Sequence, residues 1–331
     1  MRAPDFWWRR NSLLSWLLAP LSYLYGVLAR RPFAKGVSSK IPVICIGNFT
    51  AGGAGKTPVA LSLAKQFQAR GDEVVFLSRG YGGAFSGPHL VSPTNNRAQD
   101  VGDEPLLLAK QAPTIIARDR VAGLRFIEQQ FTPDLIIMDD GFQSARIKPH
   151  HALLVVDGKR GLGNGCVIPA GPVRAPISVQ LDHADSLLVV HGSQQNHATV
   201  ESLTRHFGEK QALVFNVSLK LTQDYDLAGK RVVAFSGIGH PQKFFDTVEE
   251  CGADLVSSMP FPDHHSFSEG EAANILLQAN LFDAEIVTTA KDAVRLEGGE
   301  GNLAKLLEAT KVLEVEAVFD TPPNLDDLVQ P

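Results

Sequence analysis

The sequence predicts an α/β protein: a doubly wound parallel sheet, a second, smaller α/β unit after it, and an apolar helix ahead of both. Three observations carry this. From residue 41 onward short apolar runs alternate with helical stretches, the pattern of parallel βαβ units. A polar stretch, 191–204, lowers the apolar density before a second alternating series begins near 231. Residues 11–29 carry no charge. At ~150 residues per domain, a chain of 331 residues fits two domains, and either half is long enough to bury its own core. The expected segments are an N-terminal helix in 1–35, a larger unit in 36–222 and a smaller one in 223–331.

Taken in order, 41–46 reads as a buried strand, and after a run of glycines 56–70 reads as a helix stopped by Gly71. Further strands are expected at 73–78, 113–117, 135–138, 152–156 and 186–190, with a helix at 119–130. Residues 212–217 and 219–221 read as two short strands bridging to the second unit. There, 231–236, 255–258, 285–289 and 312–315 read as strands, and 241–251 and 268–279 as helices.

As a helix, 11–29 would run roughly 28 Å at ~1.5 Å per residue, near the ~30 Å of a hydrocarbon core. Length alone allows it to span. However, Arg9 and Arg10 precede it and Arg30, Arg31 and Lys35 follow it, and positive charge on both flanks favours both ends on the cytoplasmic side. Pro20 interrupts the middle. Leu13, Leu17, Leu21, Leu24 and Leu28 share one face, while Ser12, Ser15, Ala19, Ser22, Gly26 and Ala29 share another. The small residues suit close docking on a protein surface and the leucines suit lipid. Trp7, Trp8, Trp16, Tyr23 and Tyr25 suit the headgroup region. The reading is an interfacial, monotopic helix; a helix docked inside the fold would show the same periodicity.

Hydrophobic content of 44% and charge of 20% exclude disorder and coiled coil. Thirty-one Lys and Arg against 36 Asp and Glu leave no basic excess for a nucleic-acid groove. Cys45, Cys166 and Cys251 are too few and too far apart for a disulfide framework or a CxxC metal site, and suit a reducing compartment.

The chemistry begins at Thr50-Ala51-Gly52-Gly53-Ala54-Gly55-Lys56-Thr57. It follows an apolar strand and opens a helix, the context of a phosphate-binding loop, so the larger unit reads as a P-loop NTPase-like fold. Gly52, Gly53, Ala54 and Gly55 let backbone N–H groups converge on phosphate oxygens, with the helix N-terminus adding positive charge. Lys56 reaches toward the β- and γ-phosphates and the Thr57 hydroxyl toward Mg²⁺. Thr50 stands where the strict pattern has glycine.

The strand 135–138 runs into Asp139 and Asp140, an acidic strand end that can hold Mg²⁺ beside the loop. Gly102-Asp103-Glu104-Pro105 places acids before an apolar helix, where a plain N-cap is the alternative. Asp263-His264-His265 lacks the third ligand of a zinc site, and a histidine held by a carboxylate can instead take a proton from a hydroxyl. Arg79, Arg118, Arg120 and Arg174 follow strands or sit in loops, as candidates to meet an anionic substrate. Gly80-Tyr81-Gly82-Gly83 is only half a dinucleotide fingerprint.

With these motifs in this order, the chain resembles the tetraacyldisaccharide 4′-kinases, the lipid A 4′-kinases of Gram-negative bacteria. The likeness rests on Gly47-Asn48 with the loop to Thr57-Pro58, on Ser78-Arg79-Gly80-Tyr81, on Gly102-Asp103-Glu104-Pro105 and on Arg118-Asp119-Arg120. It continues through Asp139-Asp140-Gly141-Phe142-Gln143, Pro169-Ala170-Gly171-Pro172, Phe235-Ser236-Gly237-Ile238, Asp263-His264-His265 and Thr289-Ala290-Lys291-Asp292-Ala293. The resemblance implies ATP- and Mg²⁺-dependent phosphorylation of the 4′-hydroxyl of a tetraacylated glucosamine disaccharide 1-phosphate. It also implies a peripheral or monotopic setting on the cytoplasmic face of the inner membrane. By the same likeness Lys56 and Thr57 bind phosphates and metal, Asp139 and Asp140 serve the metal, and Asp103 acts as base with His264. The family's Arg-Glu-Pro is Arg174-Ala175-Pro176 in this chain, with no glutamate. The alternative is a membrane-surface NTPase switch that phosphorylates no small molecule, since phosphate-loop folds host both. Against it, Lys291-Asp292 is preceded by Ala290, so a guanine-reading Asn-Lys-x-Asp is absent.

Overall fold

The computed structural model describes residues 4–30, 36–144, 146–191 and 196–329. Arg31 and Lys35 of the second basic flank lie outside the described residues. The chain opens with α1 (Leu13–Ala29), β1 (Val37–Ser38), β2 (Val43–Asn48), α2 (Lys56–Arg70), β3 (Val74–Ser78) and β4 (His89–Leu90). There follow α3 (Ala98–Val101), α4 (Asp103–Ala109), β5 (Thr114–Ile116), α5 (Arg120–Gln130), β6 (Leu135–Asp139), β7 (Ile147–Lys148) and β8 (His151–Asp157). Next come α6 (Ile177–Asp182), β9 (Ser186–His191), α7 (His197–Glu209) and β10 (Leu213–Leu221). The last stretch holds β11 (Arg231–Ser236), α8 (Pro241–Glu250), β12 (Asp254–Pro260), α9 (Glu269–Phe282) and β13 (Glu285–Thr289), then α10 (Ala290–Leu296), α11 (Gly301–Ala309), β14 (Thr310–Leu313) and β15 (Val315–Phe319).

Nine strands form one sheet in the order β15-β10-β9-β8-β2-β6-β3-β5-β4, parallel throughout except at its two edges. All six residues of β2 are buried, as a strand covered on both faces requires. Its side chains alternate. Val43 and Cys45 pack with Leu124 and Ile127 of α5 and Phe207 of α7. Ile44 and Ile46 pack with Val59, Leu63 and Phe67 of α2. The loops leaving the carboxyl ends of β2, β3 and β6 therefore share one edge of the sheet, where such folds bind ligands. The second sheet, β12-β11-β13-β14, is wholly parallel. Phe244, Phe245 and Val248 of α8 cover one of its faces, and Ile275 of α9 and Leu306 of α11 cover the other.

Helix α7 is not among the expected elements, and two expectations are corrected. The polar stretch 191–204 contains the start of α7, whose apolar stripe is narrow: only Leu203 and Phe207 are buried in the helix. The two short strands expected at 212–217 and 219–221 are one strand, β10, because it pairs with β9 along its first part and with β15 along its last. The expected strand 312–315 is split at Glu314 between β14 in the small sheet and β15 in the large one. The segment 223–331 therefore belongs to both sheets, and the two crossings run side by side, with the Thr222 N–H donating to Glu314 O at 3.0 Å.

The small-residue face of α1 docks through three of its six residues, Ser12 and Ala29 being half-buried and Ala19 exposed. Ser15, Ser22 and Gly26 are its buried residues. Ser22 Oγ donates to Val167 O at 2.7 Å and accepts from the Ala170 N–H at 2.8 Å, and Ser15 Oγ accepts from Asn164 Nδ2 at 2.9 Å. Pro20 lies within the helix without ending it. The opposite face is bare: Trp16 is 83% exposed, Leu13 79% and Tyr23 78%. Trp7 and Trp8, read as headgroup residues, are instead half-buried. Trp7 Nε1 donates to Pro169 O, and the Arg160 guanidinium covers the Trp8 ring. Among the described residues no helix is long and apolar enough to cross a membrane.

Candidate active site

The loop after β2 is shaped by its glycines. Gly52 has φ +113° and Gly55 φ +89°, a region that side chains with a Cβ rarely occupy. Gly55 is thereby the left-handed N-cap from which α2 starts. Asn48, at the end of β2, donates through Nδ2 to Thr50 O at 2.6 Å and to Gly52 O at 3.2 Å, and its Oδ1 accepts from Lys56 Nζ at 3.3 Å. A second strap holds the loop from outside, with the Ala51 N–H on Pro172 O at 2.7 Å and Arg174 Nε on Thr50 O at 3.2 Å. The first hydrogen bond of α2 runs from the Val59 N–H to Gly55 O at 3.2 Å, so the N–H groups of Lys56 and Thr57 precede the helix's own ladder.

β6 lies beside β2 in register, Ile46 opposite Asp139, which brings Asp139 to the loop. Thr57 Oγ1 donates to Asp139 Oδ2 at 3.3 Å, while Asp139 Oδ1 is buried without a protein partner. Burial, and then the charge of Glu104, push the Asp139 carboxyl up to about 7. Asp140 goes the other way: burial would raise it, but Lys56 and Arg174 hold it well below the usual carboxylate range. Its Oδ1 lies 3.6 Å from Lys56 Nζ and 2.6 Å from Arg174 Nη1. The turn that carries these acids packs on Gly47, where a Cβ would come within 2.3 Å of Phe142 Cβ. Gln143 Nε2 then donates to Asn48 O at 2.7 Å, closing β6 onto the phosphate loop.

Asp103 opens α4 in the large unit, and His264 follows β12 in the small one. His264 Nδ1 lies 3.2 Å and 3.1 Å from the two Asp103 carboxylate oxygens. That hydrogen bond raises the His264 pKa above 6.5 against the opposing effect of burial. Burial would raise Asp103, but His264, Arg295 and Lys291 together hold it well below the ordinary range. The Tyr81 ring sits 5.1 Å from the His264 ring. His265 turns away: its Nε2 pairs with Glu271 at 3.0 Å and its ring stacks on Phe261. Both units line one cavity of about 1430 Å³, to which Lys56, Arg79, Tyr81, Asp140, His264 and Lys291 contribute.

Residues 14–331 match the family model described as "Tetraacyldisaccharide-1-P 4'-kinase". Relatives bearing the name tetraacyldisaccharide 4′-kinase include one from Rhizobium etli, 50% identical over 96% of this chain and 91% of its own length. Another, from Agrobacterium fabrum, is 48% identical over 97% of this chain and 91% of its own length. The chain belongs to the tetraacyldisaccharide 4′-kinase family. A solved structure of LpxK from Aquifex aeolicus in complex with ATP has the same fold, with a TM-score of 0.71 at 25% identity over 96% of this chain and 98% of that one. Members of the family are phosphotransferases, which the phosphate loop and the histidine–carboxylate pair equip this chain to be.

Of the residues expected to bind the 4′-kinase substrate, Arg79 and Arg118 are exposed at the cavity rim. Arg174 is committed to Asp140 and the loop. Arg120 is 2% exposed, with Nη1 on Ala117 O at 3.0 Å and Nη2 on Asp140 O at 3.2 Å, so it braces the turn bearing the acids where that turn lines the cavity. Sequence reasoning quoted Asn48, Gln143 and Lys291 without giving them roles. It missed Arg295 altogether, since an arginine one helical turn beyond Asp292 carries no pattern of its own.

Proposed function

We propose that this chain transfers the γ-phosphoryl of ATP to the 4′-hydroxyl of a tetraacylated glucosamine disaccharide 1-phosphate, the 4′-phosphorylation of lipid A biosynthesis. The observation that carries it is the His264–Asp103 pair: His264, from the small unit, faces the cavity that Lys56 and Thr57 face from the large one. A nucleotide switch needs no proton acceptor supplied by a second sheet. Loop amides and Lys56 neutralise the phosphates. Thr57, the unpartnered Oδ1 of Asp139, and Asp140 are hard oxygen donors of the kind Mg²⁺ prefers, and they are the residues that would hold it. When bound, such an ion supplies neutralisation of the β- and γ-phosphate oxygens.

The acceptor's proton goes to His264. With Nδ1 on Asp103, Nε2 is left to take the hydroxyl proton. As it does so, the acceptor oxygen bonds to the γ-phosphorus and the bond from phosphorus to the β,γ-bridging oxygen breaks. Asp103, held ionised, orients the ring and stabilises the imidazolium, the role of the carboxylate in a catalytic triad. Asp103 alone is too weak a base for an alcohol, which is why both groups are required.

The bare face of α1 supports a setting in which the acyl chains stay in the membrane and the sugar headgroup enters the cleft, on the cytoplasmic face of the inner membrane. The deciding assay uses the full chain, γ-labelled ATP, Mg²⁺ and the lipid acceptor, with the product read by mass spectrometry. Label at the 4′ position is expected; acceptor-independent hydrolysis without product overturns the reading. For the membrane, Trp16→Ser with Leu17→Ser and Leu21→Ser leaves the docked serines untouched and should abolish co-sedimentation with phosphatidylglycerol-containing vesicles. Undiminished co-sedimentation would remove α1 as the anchor.

A further inference from the structure

Asp103 has a partner that the reaction as described does not use. Arg295, on α10 of the small unit, donates through both Nε (2.8 Å) and Nη2 to Asp103 Oδ2. The two side chains are 5% and 3% exposed. Arg295 Nη1 donates to Gly237 O and to Asp292 Oδ1, each at 2.7 Å. Asp292 is fully buried and accepts from three further donors: the Gly237 N–H at 2.9 Å, Ser236 Oγ at 3.0 Å and Thr289 Oγ1 at 2.7 Å. Burial pushes the Asp292 carboxyl up from its ordinary value, and these donors and Arg295 pull against it.

The result is one continuous chain. The carboxyl ends of β11 and β13 fix Asp292, Asp292 fixes Arg295, Arg295 fixes Asp103 across the cleft, and Asp103 aims His264. Asp103 Oδ1 is meanwhile held by the Glu104 N–H at 2.9 Å, so every direction of the carboxylate is assigned. An arginine suits this post because its planar fork both fixes orientation and stays charged.

We infer that Arg295, anchored by Asp292, is the positioning residue of the proton-accepting pair: it binds the large unit's Asp103 to the small unit and so sets where His264 points. This rests on the proton-transfer reading above. Arg295 lines the small cavity beside Asp103 and His264 and is not among the residues lining the large one. Its effect runs through Asp103, and that separates it from a residue that merely supports the fold.

The test uses the full-length chain. Arg295→Lys keeps the charge and loses the fork. Turnover should fall about a hundredfold, as a misplacement near 1 Å does, while ATP affinity stays as in the parent. On an Asp103→Asn background the same substitution should cost no further turnover. Arg295→Ala should regain turnover with added methylguanidinium, since Arg295, Asp103 and His264 line a second cavity of about 110 Å³ that can admit it. Parental turnover in Arg295→Lys, or an equal loss with and without Asp103, overturns the inference. Should Arg295→Lys not fold, the isosteric Asp292→Asn asks the same question: loss of turnover at unchanged ATP affinity supports the chain of contacts, and parental turnover breaks it. Full turnover in Asp103→Asn and in His264→Ala would instead sink the underlying reading, a result distinct from any above.

Discussion

Lys56 and Thr57 find their partners within a single sheet: Asn48 at the end of the neighbouring strand β2, and Asp139 at the end of β6. Asp103 and His264 stand 161 residues apart and come from two units. Register alone places the first group, since pairing β2 with β6 puts Asp139 beside the loop whatever the second unit does. The second group exists only while α10 and the loop after β12 stay packed against α4. Binding phosphate and accepting a proton are therefore separable properties of this chain, each depending on a different kind of contact.

The sharpest break in that comparison comes from the proton side. Asp103→Asn and His264→Ala should each lower turnover about 10³-fold, the range of a lost general base, with ATP affinity by calorimetry unchanged. The double variant should lose little more than the worse single one, because the pair acts as a unit. Losses that add in full would show two independent residues. On the phosphate side, Thr57→Ala should cost about 10²-fold in turnover, the range of one lost electrostatic contact, and should also raise the Mg²⁺ concentration needed for half-maximal rate. An unchanged Mg²⁺ titration would remove Thr57 from the metal site.

Smaller effects refine the two halves. Arg120→Met leaves the Ala117 and Asp140 carbonyls without their donor, and urea unfolding should show a loss of about 1–3 kcal/mol. A loss of acceptor affinity with no loss of stability would return Arg120 to the substrate. The pH profile carries the finest test. Neutral His264 is the working form, and Asp103 raises its pKa, so kcat/KM should fall as pH drops through a value above 6.5. Asp263 Oδ1 lies 3.9 Å from His264 Nε2 and raises that pKa further. Asp263→Asn should move the acid limb to lower pH while sparing the plateau rate. A limb that does not move would show that Asp263 does not govern this titration.

The residues legible in the sequence were those whose partners are near in the chain or fixed by pattern. The phosphate loop shows itself through glycines between a strand and a helix, and β2 through an unbroken apolar run. The docking face of α1 shows itself through small residues at helical spacing, later found at Ser15, Ser22 and Gly26. Elements with weak or divided patterns were not legible. Helix α7 buries too narrow a stripe to stand out, and β14 and β15 look like one strand because the switch between sheets occupies the single residue Glu314.

The sequence by itself determined the fold class, the phosphate loop and the acids at the end of β6, because each is written in local spacing or in a motif of adjacent residues, whereas the pairing of Asp103 with His264 was only implied by the family resemblance. Only the tertiary structure decided that Asp103 and His264 come within hydrogen-bond distance, that Arg120 braces the turn after β6 and that Arg295 reaches Asp103 from the other unit. Those choices depend on which surfaces of two separately patterned sheets come together. Contacts between side chains distant in the chain leave no periodicity for a sequence to display.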